Sequence, residues 1–221
     1  WVWSVAADIM RSLEPPQQKW CGGLVGLSHF VGQAWDVVMS RTMEAGHGGA
    51  FAIVGNSGFR SLNVEYECEE LDLREQMKQF WLACVNAQMA KEDKKAWSQA
   101  LPVWFKAEDR LRESACVLAD LANVDGCVAM TKDLTVVGFG AEITAQPDGP
   151  LYRAHISGEE ERISPSGFGM RHRSAYHLCS EHPGSMVFVL SQDRALRVFH
   201  GQLDRVLLFD DLTTGNMTEL I

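Results

Sequence analysis

Three consecutive side chains that can carry positive charge, Arg171, His172 and Arg173, stand between a glycine-rich turn and a short helical pattern. The two glycines of that turn, Gly167 and Gly169, leave the first N–H groups of the helix free to face an anion, and the helix dipole favours negative charge there. Arginine adds a planar fork suited to phosphate, and histidine adds a further donor. The alternative is a solvated helix start, but cations at this end of a helix are misplaced unless an anion is present. The stretch therefore has the composition of a phosphate site.

A carboxylate, Asp125, stands in VDGC at the start of a predicted strand and is followed by Gly126. A carboxylate in this position can approach a metal ion or a sugar hydroxyl closely, because glycine lets the backbone and a ligand come together. Asp-Gly pairs are more often ordinary turns, which is the alternative explanation. A third stretch, HGGAF from His47 to Phe51, is explained by a glycine that ends a helix and by a tight turn.

The composition is that of a packed domain with an acidic balance. The chain has 221 residues, of which 46% are apolar and 22% charged, and its formal net charge is -9. These values argue against disordered and fibrous classes. Without a basic tail, the chain lacks the polyanion-binding surface of a nucleic-acid-binding protein, so we expect no nucleic acid partner. No apolar run approaches the ~18 residues that cross a bilayer, so we expect no membrane span.

The cysteines and histidines do not form a recognisable metal or disulfide framework. The six cysteines are scattered without a C-x-x-C pair, and several fall in apolar segments where a reduced thiol packs as a small hydrophobe. This pattern favours the cytoplasm. The histidines are not spaced as a zinc site, and the sequence contains no Walker A, G-x-G-x-x-G or G-x-S-x-G motif. Any anionic ligand must therefore be bound by a local cluster of basic side chains or by a metal ion.

The elements that must position these residues alternate between helices and short apolar strands. Helical spacing predicts helices over 30–43, over 73–84 and from an early Pro102 to Ala122, with a further short helix in RSAYHLC. Apolar runs predict strands in AFAIV, MVFVL, ALRVFH and RVLLFD, and a hairpin over VAM and LTVVGF. We expect AKEDKKAW to be solvated surface or loop, and 145–169 to be a long loop with a short strand near LYRAHI. The pattern predicts an α/β domain with a central mixed β-sheet flanked by helices.

Four stretches in order, GGAFAIV, VDGCVAM, GFGMRHRSA and VFVLSQD, resemble the diadenylate cyclase domain family. That family joins two ATP molecules into cyclic di-AMP, and its signature is an Asp-Gly-Ala motif followed by a Gly-Thr-Arg-His-Arg motif. Arg171 follows Asp125 by 46 residues, as the family's spacing allows, and the resemblance covers roughly 46–199. It implies a diadenylate cyclase-like nucleotide-binding domain over 46–200, with an N-terminal helical segment over 1–45 and a C-terminal strand or tail over 201–221.

The resemblance also implies roles for single residues. Asp125 would hold the divalent metal, Mg2+ or Mn2+, and help activate the ribose 3′-hydroxyl, while Arg171, His172 and Arg173 would cradle the triphosphate. The other nucleotide-binding positions that it implies are Gly126, Cys127, Ile143, Gly169, Met170, Ser174, Ser180 and Glu181. SQD at 191–193 matches a Ser-Glu-Glu turn near the family's site. The implied partners are ATP and a second copy of the chain, in a face-to-face homodimer that serves bacterial second-messenger signalling in the cytoplasm.

Three departures from the family pattern place the chain in a divergent branch. Met170 stands where the family has a threonine, Cys127 where it has an alanine, and the Gln192–Asp193 pair where it has two glutamates. Alternatives to a diadenylate cyclase therefore remain. One is a sensor module that binds a nucleotide or cyclic dinucleotide with weak or lost turnover, and another is a cyclase with a different nucleotide preference. The plainest alternative is a structural α/β domain that binds no nucleotide.

Overall fold

The helices and strands follow one another in mixed order along the chain. The computed structural model describes residues 2–11, 23–68, 71–146, 149–155 and 158–212. Its helices are α1 (Val2–Arg11), α2 (Gly23–Ala45), α3 (Leu73–Met89), α4 (Lys94–Leu121) and α5 (Met170–Glu181), with 3-10 turns at Gly58–Ser61 and Pro165–Gly167. Its strands are β1 (Gly49–Val54), β2 (Leu62–Asn63), β3 (Tyr66–Glu67), β4 (Cys127–Thr131), β5 (Val136–Ile143), β6 (Leu151–Ala154), β7 (Glu160–Ile163), β8 (Met186–Leu190), β9 (Leu196–Gly201) and β10 (Val206–Leu212).

All ten strands belong to one mixed sheet. Its order is β2-β5-β4-β1-β8-β9-β10-β6-β7, and β3 also pairs with β5. The β1–β4 and β6–β10 pairs are parallel, and the remaining pairs are antiparallel. The predicted α/β class, with a central mixed sheet flanked by helices, is therefore confirmed, as is the hairpin formed by β4 and β5.

Alternate residues of the central strand face two different cores. Phe51 of β1 belongs to the core under α1 to α4, whereas Ala50 and Ala52 belong to the core under α5. On the first side the ring of Trp35 lies 5.5 Å from Phe51 and 5.3 Å from Phe188. On the side covered by α5, the helix lies close to β9, where a Cβ at Gly201 would meet the carbonyl oxygen of Cys179. This close packing fixes the position of the helix on the sheet.

The fourth helix begins earlier than the sequence predicts. Pro102 was expected early in the helix, with AKEDKKAW as surface or loop, but α4 begins at Lys94 and contains Pro102 in its interior. The cause is Asp93, whose Oδ1 accepts hydrogen bonds from the N–H groups of Lys95 at 2.9 Å and Ala96 at 3.2 Å. This N-cap starts the helix within the lysine-rich stretch. Pro102 removes one backbone hydrogen bond, which the long helix tolerates.

The described residues of 145–169 contain more regular structure than the expected long loop. The strand predicted near LYRAHI is β6, and the segment also contains β7, which pairs with β6 in antiparallel register. The sequence EERI of β7 shows no apolar alternation, because β7 is an edge strand whose first three residues are exposed. Instead, Arg153 of β6 lies opposite Glu161 of β7, with Nη1 and Oε2 3.5 Å apart. Such a charged edge gives no hydrophobic signal in the sequence.

The structure bears on two expectations from the sequence, which concern membrane-spanning helices and the state of the cysteines. Among the described helices, none is long and apolar enough to cross a membrane. Cys68, Cys84, Cys116, Cys127 and Cys179 are free thiols. Cys21 lies outside the described residues, as do residues 213–221 of the expected C-terminal strand or tail.

Candidate functional site

An open cleft of about 1250 Å³ lies at one end of the sheet, beside the N-terminus of α5. The first residues of β1 and β4 reach it, because these strands are parallel, and the last residues of β5 and β8 reach it, because they run the opposite way. The sequence-predicted residues that line it are Asp125, Gly126, Cys127, Ile143, Gly169, Met170, Arg171, His172 and Ser174. The fold thus gathers segments that are far apart in sequence around a single opening.

Asp125 and Arg171 meet at the mouth of this cleft. Asp125 is fully exposed, and its Oδ1 lies 3.8 Å from Nη2 of Arg171. Arg171 also donates from Nη1 to the carbonyl oxygen of His47 at 3.3 Å. Gly48 has a φ of +67°, and a Cβ there would lie 2.6 Å from the carbonyl oxygen of Leu190 and 3.2 Å from Arg171 Nη1. The HGGAF turn therefore holds Arg171 as well as ending α2.

Three side chains form a triangle of hydrogen bonds behind the mouth. Arg197 Nη1 donates to His172 Nε2 and to Ser191 Oγ, both at 3.2 Å, and Ser191 Oγ lies 3.3 Å from His172 Nε2. Because a guanidinium can only donate, Nε2 of His172 is an acceptor and the ring is neutral. Partial burial lowers the pKa of His172, and the nearby charge of Arg197 lowers it further, while Asp193 opposes the shift. The imidazole is thus held in its uncharged form beside two arginines.

The floor of the cleft is apolar. The ring of Phe168 lies 5.8 Å from His172 and 5.9 Å from Phe199. Cys127 also lines the cleft and is buried, and burial raises the pKa of its thiol to about 12. Since the thiolate is the nucleophilic form, Cys127 acts here as an apolar wall. With Ile143, this surface offers the contacts that a nucleobase or another flat apolar group requires.

The helix N-terminus adds donors at the lip of the cleft. Gly169 is the N-cap of α5, and no side chain caps the helix. Met170, the first helical residue, is 76% exposed. The first N–H groups of α5 are therefore not satisfied by a capping side chain, and an anion at this lip would meet them together with Arg171.

The described residues contain no group of three or more His, Cys, Asp or Glu placed to hold a metal ion. The expected chemistry does not require a preformed site with several protein ligands. Mg2+ is commonly held by one or two carboxylates together with substrate phosphates and water. Asp125, exposed at the mouth and next to Arg171, fits that arrangement as a single carboxylate ligand.

Three residues of the expected site lie away from the cleft wall. Arg173 is exposed on the first turn of α5, and Ser180 and Glu181 lie at the far end of that helix. Glu181 accepts hydrogen bonds from the N–H of Gln146 at 2.7 Å and from Ser61 Oγ at 2.9 Å. These two donors lower the pKa of Glu181. Glu181 thus anchors the end of α5 to neighbouring loops.

Some residues of the cleft were missed by the sequence interpretation. They are Glu65, Glu142, Arg153, Arg197 and Asp210, which all line the cleft. The signal for Arg197 was a charged residue in the strand pattern ALRVFH, between the buried Leu196 and Val198. Glu65 and Glu142 are exposed, where a charged side chain is usual, whereas Arg153 and Asp210 are partly buried on interior strands and pair with each other.

Comparison with protein family models, with curated proteins and with solved structures finds no match to this chain. The function must therefore be inferred from the cleft itself and from the motifs that line it.

Proposed function

We propose that this chain is a diadenylate cyclase, which condenses two ATP molecules into cyclic di-AMP and releases pyrophosphate. The observation that carries the proposal is the placement of Asp125 beside Arg171, 3.8 Å apart, at the mouth of a cleft that Gly126, Cys127 and His172 also line. The resemblance to the diadenylate cyclase-like fold is part of the same proposal. Asp125 supplies a carboxylate, and Arg171 and the uncapped start of α5 supply donors for phosphate oxygens.

The chemistry is an in-line displacement at the α-phosphate. The 3′-oxygen of one ATP forms a bond to the α-phosphorus of the other, the bond to the β-phosphate oxygen breaks, and pyrophosphate leaves. Asp125 orients the attacking 3′-hydroxyl, whose proton passes to water at the open mouth. Arg171 offsets the charge on the phosphate oxygens as the leaving group departs. Mg2+ or Mn2+, when bound through Asp125 and the phosphates, supplies further charge neutralisation.

The reaction needs two copies of the chain. One cleft holds one ATP, whereas in cyclic di-AMP each 3′-oxygen is bonded to the α-phosphorus of the other nucleotide. Two protomers must therefore meet face to face, and a two-fold axis makes the two bond-forming steps equivalent. The full exposure of Asp125 supports this arrangement, because the carboxylate is accessible to a nucleotide carried by a second protomer.

The proposed setting is the bacterial cytoplasm, where ATP and magnesium are available and cyclic di-AMP acts as a second messenger. The free thiols of the described residues support a reducing compartment.

The test is product formation by the purified chain. The protein is incubated with ATP and either Mg2+ or Mn2+, and the products are identified by mass spectrometry. We expect cyclic di-AMP and pyrophosphate in a 1:2 ratio. A folded protein that forms no cyclic dinucleotide with either metal would contradict the cyclase proposal. A mixture of nucleoside triphosphates in the same assay identifies the preferred base.

A second candidate is a sensor module that binds ATP or a cyclic dinucleotide without turnover. Met170 favours it, because this exposed side chain occupies the position at which the family has a phosphate-binding threonine. This candidate predicts that ATP or cyclic di-AMP raises the melting temperature while no product forms.

A further inference from the structure

Arg197 enters the cleft from a strand that lies outside the arginine motif. It lies in β9 between Leu196 and Val198, which are buried in the core under α1 to α4. Because side chains alternate along a strand, Arg197 is on the opposite face of the sheet, where α5 lies. Its side chain is partly buried and lines the cleft.

The three arginines of the cleft differ in how their charge is balanced. Arg153 Nε lies 3.0 Å from Asp210 Oδ2, and Arg171 Nη2 lies 3.8 Å from Asp125 Oδ1. Arg197 has no carboxylate within ion-pair distance among the described residues. Its hydrogen-bond partners there, Ser191 and His172, are both uncharged. A partly buried guanidinium without a counter-charge is unfavourable, so this site favours an incoming anion.

The anion that fits is a chain of phosphates. A guanidinium has five N–H donors, and the hydrogen bonds of Arg197 to His172 and Ser191 use only Nη1, which leaves donors for a bidentate contact. Arg197 lies near Arg171, because Arg197 is hydrogen-bonded to His172, which directly follows Arg171 in the sequence. A polyphosphate can contact both arginines and the start of α5 at once, which one small carboxylate cannot do.

We propose that Arg197 is a phosphate-binding residue of the cleft and that it holds the polyphosphate chain of the bound nucleotide together with Arg171. The proposal rests on the proposed nucleotide function only for the identity of the ligand. The phosphate chemistry itself follows from the local environment of Arg197, whose two hydrogen-bond partners are uncharged. Ser191 and His172 then act as positioning residues, because their bonds to Nη1 set the direction of the guanidinium.

The experiment measures binding of inorganic tripolyphosphate and of ATP, each with magnesium, to the full chain by calorimetry. We expect Arg197→Gln to weaken both by roughly ten-fold to a hundred-fold, as loss of a charge-assisted hydrogen bond does. Arg197→Lys keeps the charge but loses the fork, and we expect it to weaken binding by less than the glutamine variant does. Arg112→Gln, an equal loss of charge on the exposed face of α4, serves as the control and keeps wild-type affinity.

The outcomes separate this inference from the cyclase proposal. If Arg197→Gln and Arg197→Lys both bind ATP and tripolyphosphate within two-fold of wild type, the inference is overturned, even where cyclic di-AMP is produced. If the wild-type chain binds tripolyphosphate, loses that binding in Arg197→Gln and makes no product, the inference stands and the cyclase proposal fails. Should the glutamine variant not fold, the lysine variant alone decides, and unchanged affinity overturns the inference.

Discussion

Asp125 and Arg171 lie side by side, with Oδ1 and Nη2 3.8 Å apart, although they are 46 positions apart in the chain. The pair is solvent-exposed on the Asp125 side, and exposed ion pairs contribute only about 0–1 kcal/mol to stability. A bound metal that takes the carboxylate and a phosphate that takes the guanidinium can therefore separate the two at small cost. The contact places the two sequence motifs next to each other at the mouth of the cleft, and the cleft stays open.

Replacing Asp125 by asparagine should separate activity from stability. We expect Asp125→Asn to abolish cyclic di-AMP formation, because the amide no longer offers an anionic ligand to the metal. The free energy of unfolding should change by less than about 1 kcal/mol, since an exposed ion pair is lost. Product assays and denaturant titrations check the two parts. Asp109→Asn on the exposed side of α4 is the control, and cyclase activity retained in Asp125→Asn would remove this residue from the mechanism.

Gly126 is required for the backbone at the mouth of the cleft. Its φ is +100°, and a Cβ there would lie 2.7 Å from the backbone carbon of Gly140. We therefore expect Gly126→Ala to destabilise the fold by about 1–3 kcal/mol. Gly167→Ala is the matched control, because a Cβ at Gly167 meets nothing within 4 Å. Equal thermal unfolding curves for the two variants would show that the backbone at Gly126 does not require a glycine.

Met170 offers a gain-of-function test. Its side chain is 76% exposed at the lip of the cleft, so replacement should leave the fold stable. We expect Met170→Thr to raise ATP affinity about 2-fold to 10-fold, because a hydroxyl adds one hydrogen bond to phosphate. Met170→Val has nearly the same shape without the hydroxyl and should show no such gain. Calorimetry with ATP and magnesium compares the two, and an equal gain in both would assign the effect to size alone.

His172 should titrate below its ordinary range. Burial and Arg197 lower its pKa, so the folded chain binds fewer protons at this site than the unfolded chain as the pH falls below about 6.5. The stability contribution is therefore present above pH 6.5 and is lost on acidification through the folded pKa. NMR titration, assigned with His172→Gln, measures the value. We expect Arg197→Gln to raise it, and an imidazole that titrates at or above 6.5 in the wild type would contradict the hydrogen-bond triangle.

Glu181 should stabilise the end of α5 in a pH-dependent way. The N–H of Gln146, followed by the hydroxyl of Ser61, lowers its pKa, so the carboxylate contributes stability above about pH 4.5 that is lost as the pH falls through the folded pKa. We expect Glu181→Gln to lower the melting temperature at pH 7, with a smaller difference from wild type near pH 3. Glu113→Gln, exposed on α4, is the control. A constant difference across this range would show that ionisation of Glu181 does not matter.

The helices and strands with a strong hydrophobic period could be predicted from the sequence. Phe51 and Phe188 fall in apolar runs, and both runs are central strands. The start of α4 could not be placed from apolar spacing, because it depends on the Asp93 side chain rather than on a buried face. The edge strand β7 was missed because its charges satisfy a solvent-exposed edge, which apolar patterns do not report.

The cleft was predictable in part for a related reason. Asp125 and Arg171 stand in motifs whose local composition is unusual, so both could be selected from the sequence alone. Arg197 stands in an ordinary strand, and its importance arises only when the sheet places it beside His172. Glu181 shows the reverse case. Its position in a motif predicted a contact with the ligand, but in the structure its carboxylate accepts hydrogen bonds from Ser61 and Gln146.

The central place of β1 in the sheet has a consequence for biosynthesis. Phe51 is paired with Val128 in β4 and with Phe188 in β8, so neither neighbour of this early strand exists until much more of the chain has been translated. Such high contact order slows folding, and it leaves an apolar strand of the nascent chain without partners. The helices α3 and α4 are neighbours in sequence and pack against each other, so this helical hairpin can form before the strands pair. It can then shield one face of β1 on the ribosome while the partner strands are still being made.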